Sequence, residues 1–223
     1  SGPTPVSFLL LELAQNGDLF DAISQGGAMS EVLARTVFHQ LVDGISFMHN
    51  MNIAHLDLKP ENILLDENFT VKITDFDLAQ NMDGQTRLDG RGTVGYRAPE
   101  IREGRCSNLV AADIYSLGVI LFIMLAGIPP YMEVEKGFSV EYDGFYKLLR
   151  KNTQKFWEIH GRHSSGRNLF KPAVIKLITA MLSEDPNSRP TIDEIKQNSW
   201  YNGEVLSQEA YKTEMEKYFR RQK

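Results

Sequence analysis

The spacing of apolar positions changes character several times along the chain. "SFLLLELA", Ser7 to Ala14, is an apolar run of strand length followed by the turn-prone "QNGD", so a strand is expected there. "DLFDAI" then opens a short helix with Asp18 near its N-terminus, where unpaired amides favour a carboxylate, and Gly26–Gly27 ends it. From Ser30, a good N-cap, Leu33, Val37, Phe38, Leu41, Ile45 and Met48 recur at helical spacing to about Asn50. "NILL" and "TVKIT" predict two short strands joined by the polar turn "DENF" into a small hairpin flanked by acidic residues. Asn81 to Gly95 has no periodicity and reads as an exposed loop. Met132 to Gly144 and "HGRHSSGR", His160 to Arg167, read as irregular surface insertions. Pro172 sits where a first helical turn tolerates it, ahead of a core helix carrying Val174, Leu177, Ile178 and Met181. Thr191 and Glu194 form a capping box for "IDEIKQN", and Ser207 to Lys223 is an amphipathic tail helix with Tyr211, Met215, Tyr218 and Phe219 on one side.

The most apolar run, "LGVILFIMLAGI" from Leu117 to Ile128, is well short of the roughly 20 residues a bilayer requires and is expected to be a helix buried all round in the core. No membrane partner is expected. With 223 residues, 42% of them hydrophobic, the chain can bury a real core as one large lobe with appendages. A formal net charge of -5 and the lack of any long Lys/Arg run argue against nucleic acid. Cys106 is the only cysteine, so no internal disulfide and no cysteine-based zinc site can form. "SGPTPVS" lacks the basic flank and apolar core of a signal peptide, and a start at Ser1 suggests a processed or truncated end; a cytoplasmic setting is the expectation.

Candidate chemistry concentrates in "HLDLKPENILLDENFTVKITDFD", His55 to Asp77. Two carboxylates around a hairpin, Asp57 and Asp75, suit the acid/base pair of a glycosidase or two members of a metal site. The residues between them discriminate. Lys59, on the same side of an extended segment as Asp57, would neutralise negative charge that a sugar does not carry. Asn62 offers an amide oxygen suited to a hard cation such as magnesium, with Asp75 as charged co-ligand. A carboxylate base, a lysine, an amide ligand and a second carboxylate describe phosphoryl transfer better than sugar hydrolysis.

"HLDLKPENILL" closely resembles the catalytic loop of eukaryotic protein kinases, "DFD" their magnesium-binding DFG triplet and "GTVGYRAPE" the end of their activation segment. "DIYSLGVILFIMLAGIPPY" and "DPNSRPT" continue the match in the family's order, so it covers about Phe8 to Tyr201. The wording is similar to that of serine/threonine kinases of the calcium/calmodulin-dependent type. The resemblance implies a mainly α fold with a small β-hairpin, the large lobe of a two-lobed α+β kinase. Residues 1–14 would be the last small-lobe strand and hinge. Residues 15–202 would be the large lobe, with catalytic loop 55–62 and activation segment 75–100, and 203–223 the tail helix.

ATP and magnesium are the implied cofactors, and a protein or peptide the implied substrate. Asp57 would accept the substrate hydroxyl proton, Lys59 steady the transferred phosphate, and Asn62 and Asp75 hold magnesium. Leu11 would fall at the gatekeeper position, Glu12 to Ala14 would form the hinge whose backbone meets adenine, and Leu64 would lie beneath the adenine ring. Thr93 would hydrogen-bond near Asp57 and Lys59, Glu100 would pair with Arg189, and Asp113 would brace the catalytic loop. Asp18, otherwise a helix cap, and Glu61, otherwise a solvated loop residue, lie where relatives meet the ribose or a basic substrate residue. His55 is expected to pack the loop and not to act as a base.

Three departures from the family pattern change the expectation. Leu56 replaces the arginine that usually precedes the catalytic aspartate and binds an activation-loop phosphate, which leucine cannot do. Asp89 stands where many relatives carry the phosphorylated threonine, leaving Thr86 as the main acceptor, so activity without loop phosphorylation is expected. Asp77 replaces the DFG glycine, whose freedom to take φ > 0 aspartate shares only in part. The third is that no glycine-rich loop or strand lysine precedes the hinge; "QGG" and "GRG" cannot substitute, and this chain alone is expected to bind ATP poorly and turn over negligibly. The competing reading is a pseudokinase or scaffold using its tail helix and insertions. The tail mixes Glu with its Lys and Arg, which does not support calmodulin binding, and packing back on the lobe is its expected role.

Overall fold

The computed structural model describes residues 8–83, 91–106, 108–136, 139–162 and 170–220. In chain order the elements are α1 (Leu19–Gly26), α2 (Glu31–Asn50), β1 (Ile53–Ala54), β2 (Ile63–Leu65), β3 (Val71–Ile73), β4 (Gln80–Asn81), α3 (Pro99–Arg102), α4 (Leu109–Ala126), β5 (Glu133–Lys136), β6 (Ser139–Tyr142), α5 (Gly144–Lys151), α6 (Thr153–Arg162), α7 (Pro172–Met181), α8 (Ile192–Gln197) and α9 (Gln208–Arg220). Among the described residues no sheet exceeds two strands: β1 pairs with β4, β2 with β3 and β5 with β6, all antiparallel. This is the mainly helical architecture expected, with two more ladders than the one hairpin foreseen.

The helix ends follow local chemistry. Asp18 caps α1 by accepting the Asp21 amide, Ser30 caps α2 through Leu33, and the Thr191–Glu194 capping box forms at α8. Helix α4 is apolar and long enough to cross a membrane by composition, yet 83% of it is buried inside the fold. It packs on α2 and α7. Gly118 makes the α7 contact possible, since a Cβ there would stand 2.8 Å from Met181 Cβ. The helix stops at Gly127, left-handed at φ +71°, where a Cβ would approach the Ala28 amide to 2.9 Å.

Helix α9 buries Tyr211, Met215 and Tyr218 and packs back on α1 and α2. The Tyr211 hydroxyl donates to the Phe69 carbonyl at 2.8 Å, and that of Tyr218 to the Gly27 carbonyl.

Three expectations are corrected. Residues 8–14 form no strand, and Phe8 and Leu10 are each 92% exposed. Strand propensity becomes a strand only through backbone pairing, and no described strand pairs with these residues, although Glu12 reaches Lys72 of β3 through its side chain at 3.1 Å. The supposed irregular insertion 132–144 contains the β5–β6 hairpin, with Glu133 buried at its start. Its alternation was obscured because the inward side chain is charged. His160 is not on a surface insertion: it lies in α6, buried against Phe122, Phe145 and Phe156. The remainder of that stretch, 163–167, and positions 84–90 with Thr86 and Asp89, lie outside the described residues.

Candidate active site

The loop between β1 and β2 carries the candidate base. Its backbone is hung from α4: Asp113, fully buried, accepts the His55 amide at 2.9 Å and the Leu56 amide at 2.8 Å, and takes a third contact from His49 Nε2 at 2.9 Å. Leu56 adopts φ +65°, a conformation that costs a non-glycine residue about 1–2 kcal/mol. The two bonds to Asp113 hold it there. The Leu56 side chain is buried in the apolar core, so it offers no polar group at the position. His55 packs as expected, Nε2 bonded to the Thr74 carbonyl, Nδ1 accepting the Asp57 amide, and the ring against Phe76.

Asp57 stands at the centre of a tight cluster. Lys59 Nζ donates to its Oδ2 at 2.9 Å, while the Thr93 amide and hydroxyl both donate to Oδ1, at 2.8 and 2.7 Å. Lys59 also donates to the Thr93 hydroxyl at 2.8 Å, closing a three-residue ring. Asn62 Nδ2 donates to the Asp57 carbonyl at 3.0 Å and to Oδ2 at 3.3 Å. Burial alone would raise the Asp57 pKa, but the hydrogen bonds from Thr93 and Lys59 and the lysine charge outweigh it and hold the carboxyl below its ordinary value. A carboxylate kept ionised can accept a hydrogen bond from a hydroxyl, and the lysine beside it can face an anionic group.

Asp75 is exposed and outside this cluster, at φ +65°. The residue before it is tied in: the Thr74 amide donates to the Asn62 carbonyl at 3.0 Å. The left-handed residue of the triplet is thus Asp75, and Asp77, at the position of the family's glycine, does not take that conformation. The donor set suits magnesium. Asn62 commits its amide nitrogen to Asp57, which aims its oxygen elsewhere, and Asp75 supplies a carboxylate; such an ion keeps waters and substrate phosphate for the rest. Among the described residues no three His, Cys, Asp or Glu cluster as a self-sufficient metal cage.

The nucleotide-side candidates fall into a separate place. Leu11, Glu12, Ala14 and Leu64 line an apolar groove of about 570 Å³ that also takes in Phe47 of α2, Met51 just beyond its end, and Phe76. Asp57, Lys59 and Asn62 do not line it. Asp18 bridges to Leu64 across the backbone and spends its carboxylate on capping α1. Glu61 lies on the other side, near Tyr96, whose pKa is raised by burial and by the Glu61 charge. One Glu61 oxygen is buried with no hydrogen-bond partner.

The structural pairs behave as expected: Arg189 binds Glu100 in two-pronged fashion at 2.5 and 2.7 Å. Two contacts escaped sequence reasoning. Arg97 and Glu133 form a buried ion pair, and Ser116 of α4 donates to the Tyr96 carbonyl at 2.9 Å. Arg97, a second charge in "GYRAPE" beside the Glu100 already assigned to Arg189, was the one available signal for the first; nothing signalled the second.

Comparison with known proteins gives concordant results. The model of the protein kinase domain matches residues 4–201. The serine/threonine-protein kinase chk1 of Schizosaccharomyces pombe is 39% identical over 197 residues, 86% of this chain and 37% of that protein. The CBL-interacting serine/threonine-protein kinases 20 and 8 of Arabidopsis thaliana are 35% and 36% identical, each over 87% of this chain and 41% and 40% of theirs. The chain spans about two fifths of the length of the curated relatives it matches.

Proposed function

The chain belongs to the protein kinase family, its relatives being serine/threonine kinases, and from that premise we propose that the protein transfers the γ-phosphate of ATP to serine or threonine hydroxyls of protein substrates. The observation that carries this reading is the ionised, lysine-paired Asp57 in its ring with Thr93. When bound, ATP with magnesium supplies the phosphoryl group and neutralises its charge. Asp57 orients the acceptor hydroxyl and takes its proton. Lys59 faces the charge that develops on the phosphate, and Thr93 fixes the angle between the two. Asn62 and Asp75 would hold the metal, and Leu11, Glu12, Ala14 and Leu64 the nucleotide base.

Within this reading the described residues act as the large lobe. The exposed run Phe8 to Leu13 and the exposed Phe47 and Met51 support a second lobe packed on that side, and calcium/calmodulin-dependent kinases are the proposed nearest subgroup. The unpartnered Glu61 oxygen supports a preference for basic residues before the acceptor. The buried Leu56 supports activity without loop phosphorylation, and the single cysteine supports a cytoplasmic setting.

Asp57→Asn in the full-length protein tests the reading. Peptide phosphorylation should fall by about 10²–10⁴-fold, as for loss of a general base, while the melting temperature drops by only about the few degrees that losing a charge-assisted hydrogen bond costs. Transfer at the wild-type rate would overturn it.

A further inference from the structure

Thr93 reaches Asp57 and Lys59 from a segment with little structure of its own. Residues 91–97 form no helix or strand, and Gly92 and Gly95 are left-handed at φ +91° and +88°. The internal backbone bonds described there run only from the Tyr96 and Arg97 amides to the Thr93 carbonyl, at 3.2 and 3.1 Å. Support must come from outside. Ser116 gives one point, at the Tyr96 carbonyl.

The other is Glu133, the first residue of β5. Its Oε2 accepts the Gly95 amide at 3.0 Å, and its Oε1 takes the Arg97 guanidinium at 2.9 Å from Nη2 and 3.3 Å from Nε. The Glu133 and Arg97 side chains are 1% and 5% exposed, so solvent does not weaken these contacts. The hairpin is itself anchored: Met132 and Asp143 bond across its base, and the Tyr142 ring stacks on Tyr146 at 3.8 Å.

We propose that Glu133 is a positioning residue for phosphotransfer, holding the Gly95 amide and Arg97 so that Thr93 is presented to Asp57 and Lys59. The proposal rests on the kinase reading above. Glu133 does not touch the reacting groups; it acts through two residues of backbone. Arg97 balances its charge, which lets a carboxylate occupy a site closed to water.

Removing Arg97 alone would leave the buried Glu133 carboxylate without its guanidinium, and removing Glu133 alone would strip a buried guanidinium of this carboxylate contact; either change risks unfolding. The comparison is therefore made in a neutral background in the full-length protein, R97M/E133Q against R97M/E133L. The glutamine keeps an oxygen for the Gly95 amide; the leucine has none. Melting temperatures should agree within a few degrees. The glutamine variant should turn over about tenfold faster, the worth of one hydrogen bond, with KM for ATP and peptide within about twofold. Amide exchange over 93–97 should be about tenfold faster in the leucine variant and equal elsewhere. Equal turnover, a difference confined to KM, or equal exchange over 93–97 would overturn the proposal. Should the wild-type protein transfer no phosphate, the kinase reading fails, and the exchange comparison alone decides whether Glu133 holds the segment.

Discussion

Removing the Thr93 hydroxyl takes from Asp57 a donor that lowers its pKa, and from Lys59 an acceptor. In Thr93→Ala the Asp57 pKa therefore rises. The sign for stability follows: a folded-state pKa below the unfolded value of about 3.9 stabilises above that pH and is lost as pH falls through the depressed value. The variant should be less stable at pH 7 by about 1.5–3 kcal/mol, the worth of a hydrogen bond to a charged group, and the gap should narrow in acid. Denaturant melts at pH 7 and pH 3 read both effects, and the acid limb of kcat/KM should move up. At Cys106 burial pushes the thiol up to about 11. Alkylation by iodoacetamide at pH 8 should be slow when folded and fast in denaturant. The residue-level pattern was legible where polar types have few alternative uses: Asp57, Lys59, Asn62 and Thr93 come together as their spacing and resemblance implied. Glu133 was not legible, because a glutamate beside Val134 in a polar stretch looks like any exposed strand charge until Arg97 is seen beneath it.

At the scale of elements, close approach sets the strongest expectations. Gly118→Ala drives a Cβ into Met181 between α4 and α7, where neither backbone can yield easily, and should cost about 1–3 kcal/mol by thermal or denaturant melting. Met215→Ala empties the centre of the α9 contact, fully buried in the wild type, and should cost about 2–5 kcal/mol. If the tail were a loosely held appendage, that loss would fall within a few tenths of a kcal/mol. Helices α1, α2, α7 and α8, marked by a capping side chain or a first-turn proline, could be read from sequence to within a residue or two of their ends, and α9 to within one residue of its start. Helices α5 and α6 could not: "GFYKLLRK" and "TQKFWEIHGR" mix aromatic and basic residues because their rings meet a partly aromatic layer around Phe122 and Tyr131, and Arg150 lies over the Tyr146 ring. The apolar run before Asn16 failed for the opposite reason, since its propensity was sound but no ladder among the described residues pairs with it.

For the molecule as a whole, α4 ties the site together. From one turn and a half it supplies Asp113 to the loop between β1 and β2, Ser116 to the 91–97 segment and the Ala111 carbonyl to Arg189. Asp113→Ala should leave the buried His55 and Leu56 amides unpaired, at about 1–3 kcal/mol each. Hydrogen exchange at those two amides should rise far more than in the centre of α2; uniform acceleration throughout would mean that the fold, and not the loop, depends on Asp113. Leu56 draws a further consequence from this suspension. Its side chain has joined the core, and its left-handed backbone is fastened from beneath by a carboxylate. An arginine introduced there would have to bring a charge into that packed space or tear its own chain from the α4 anchor to reach water. A one-letter change to arginine there is therefore opposed by steric bulk and solvation energy together.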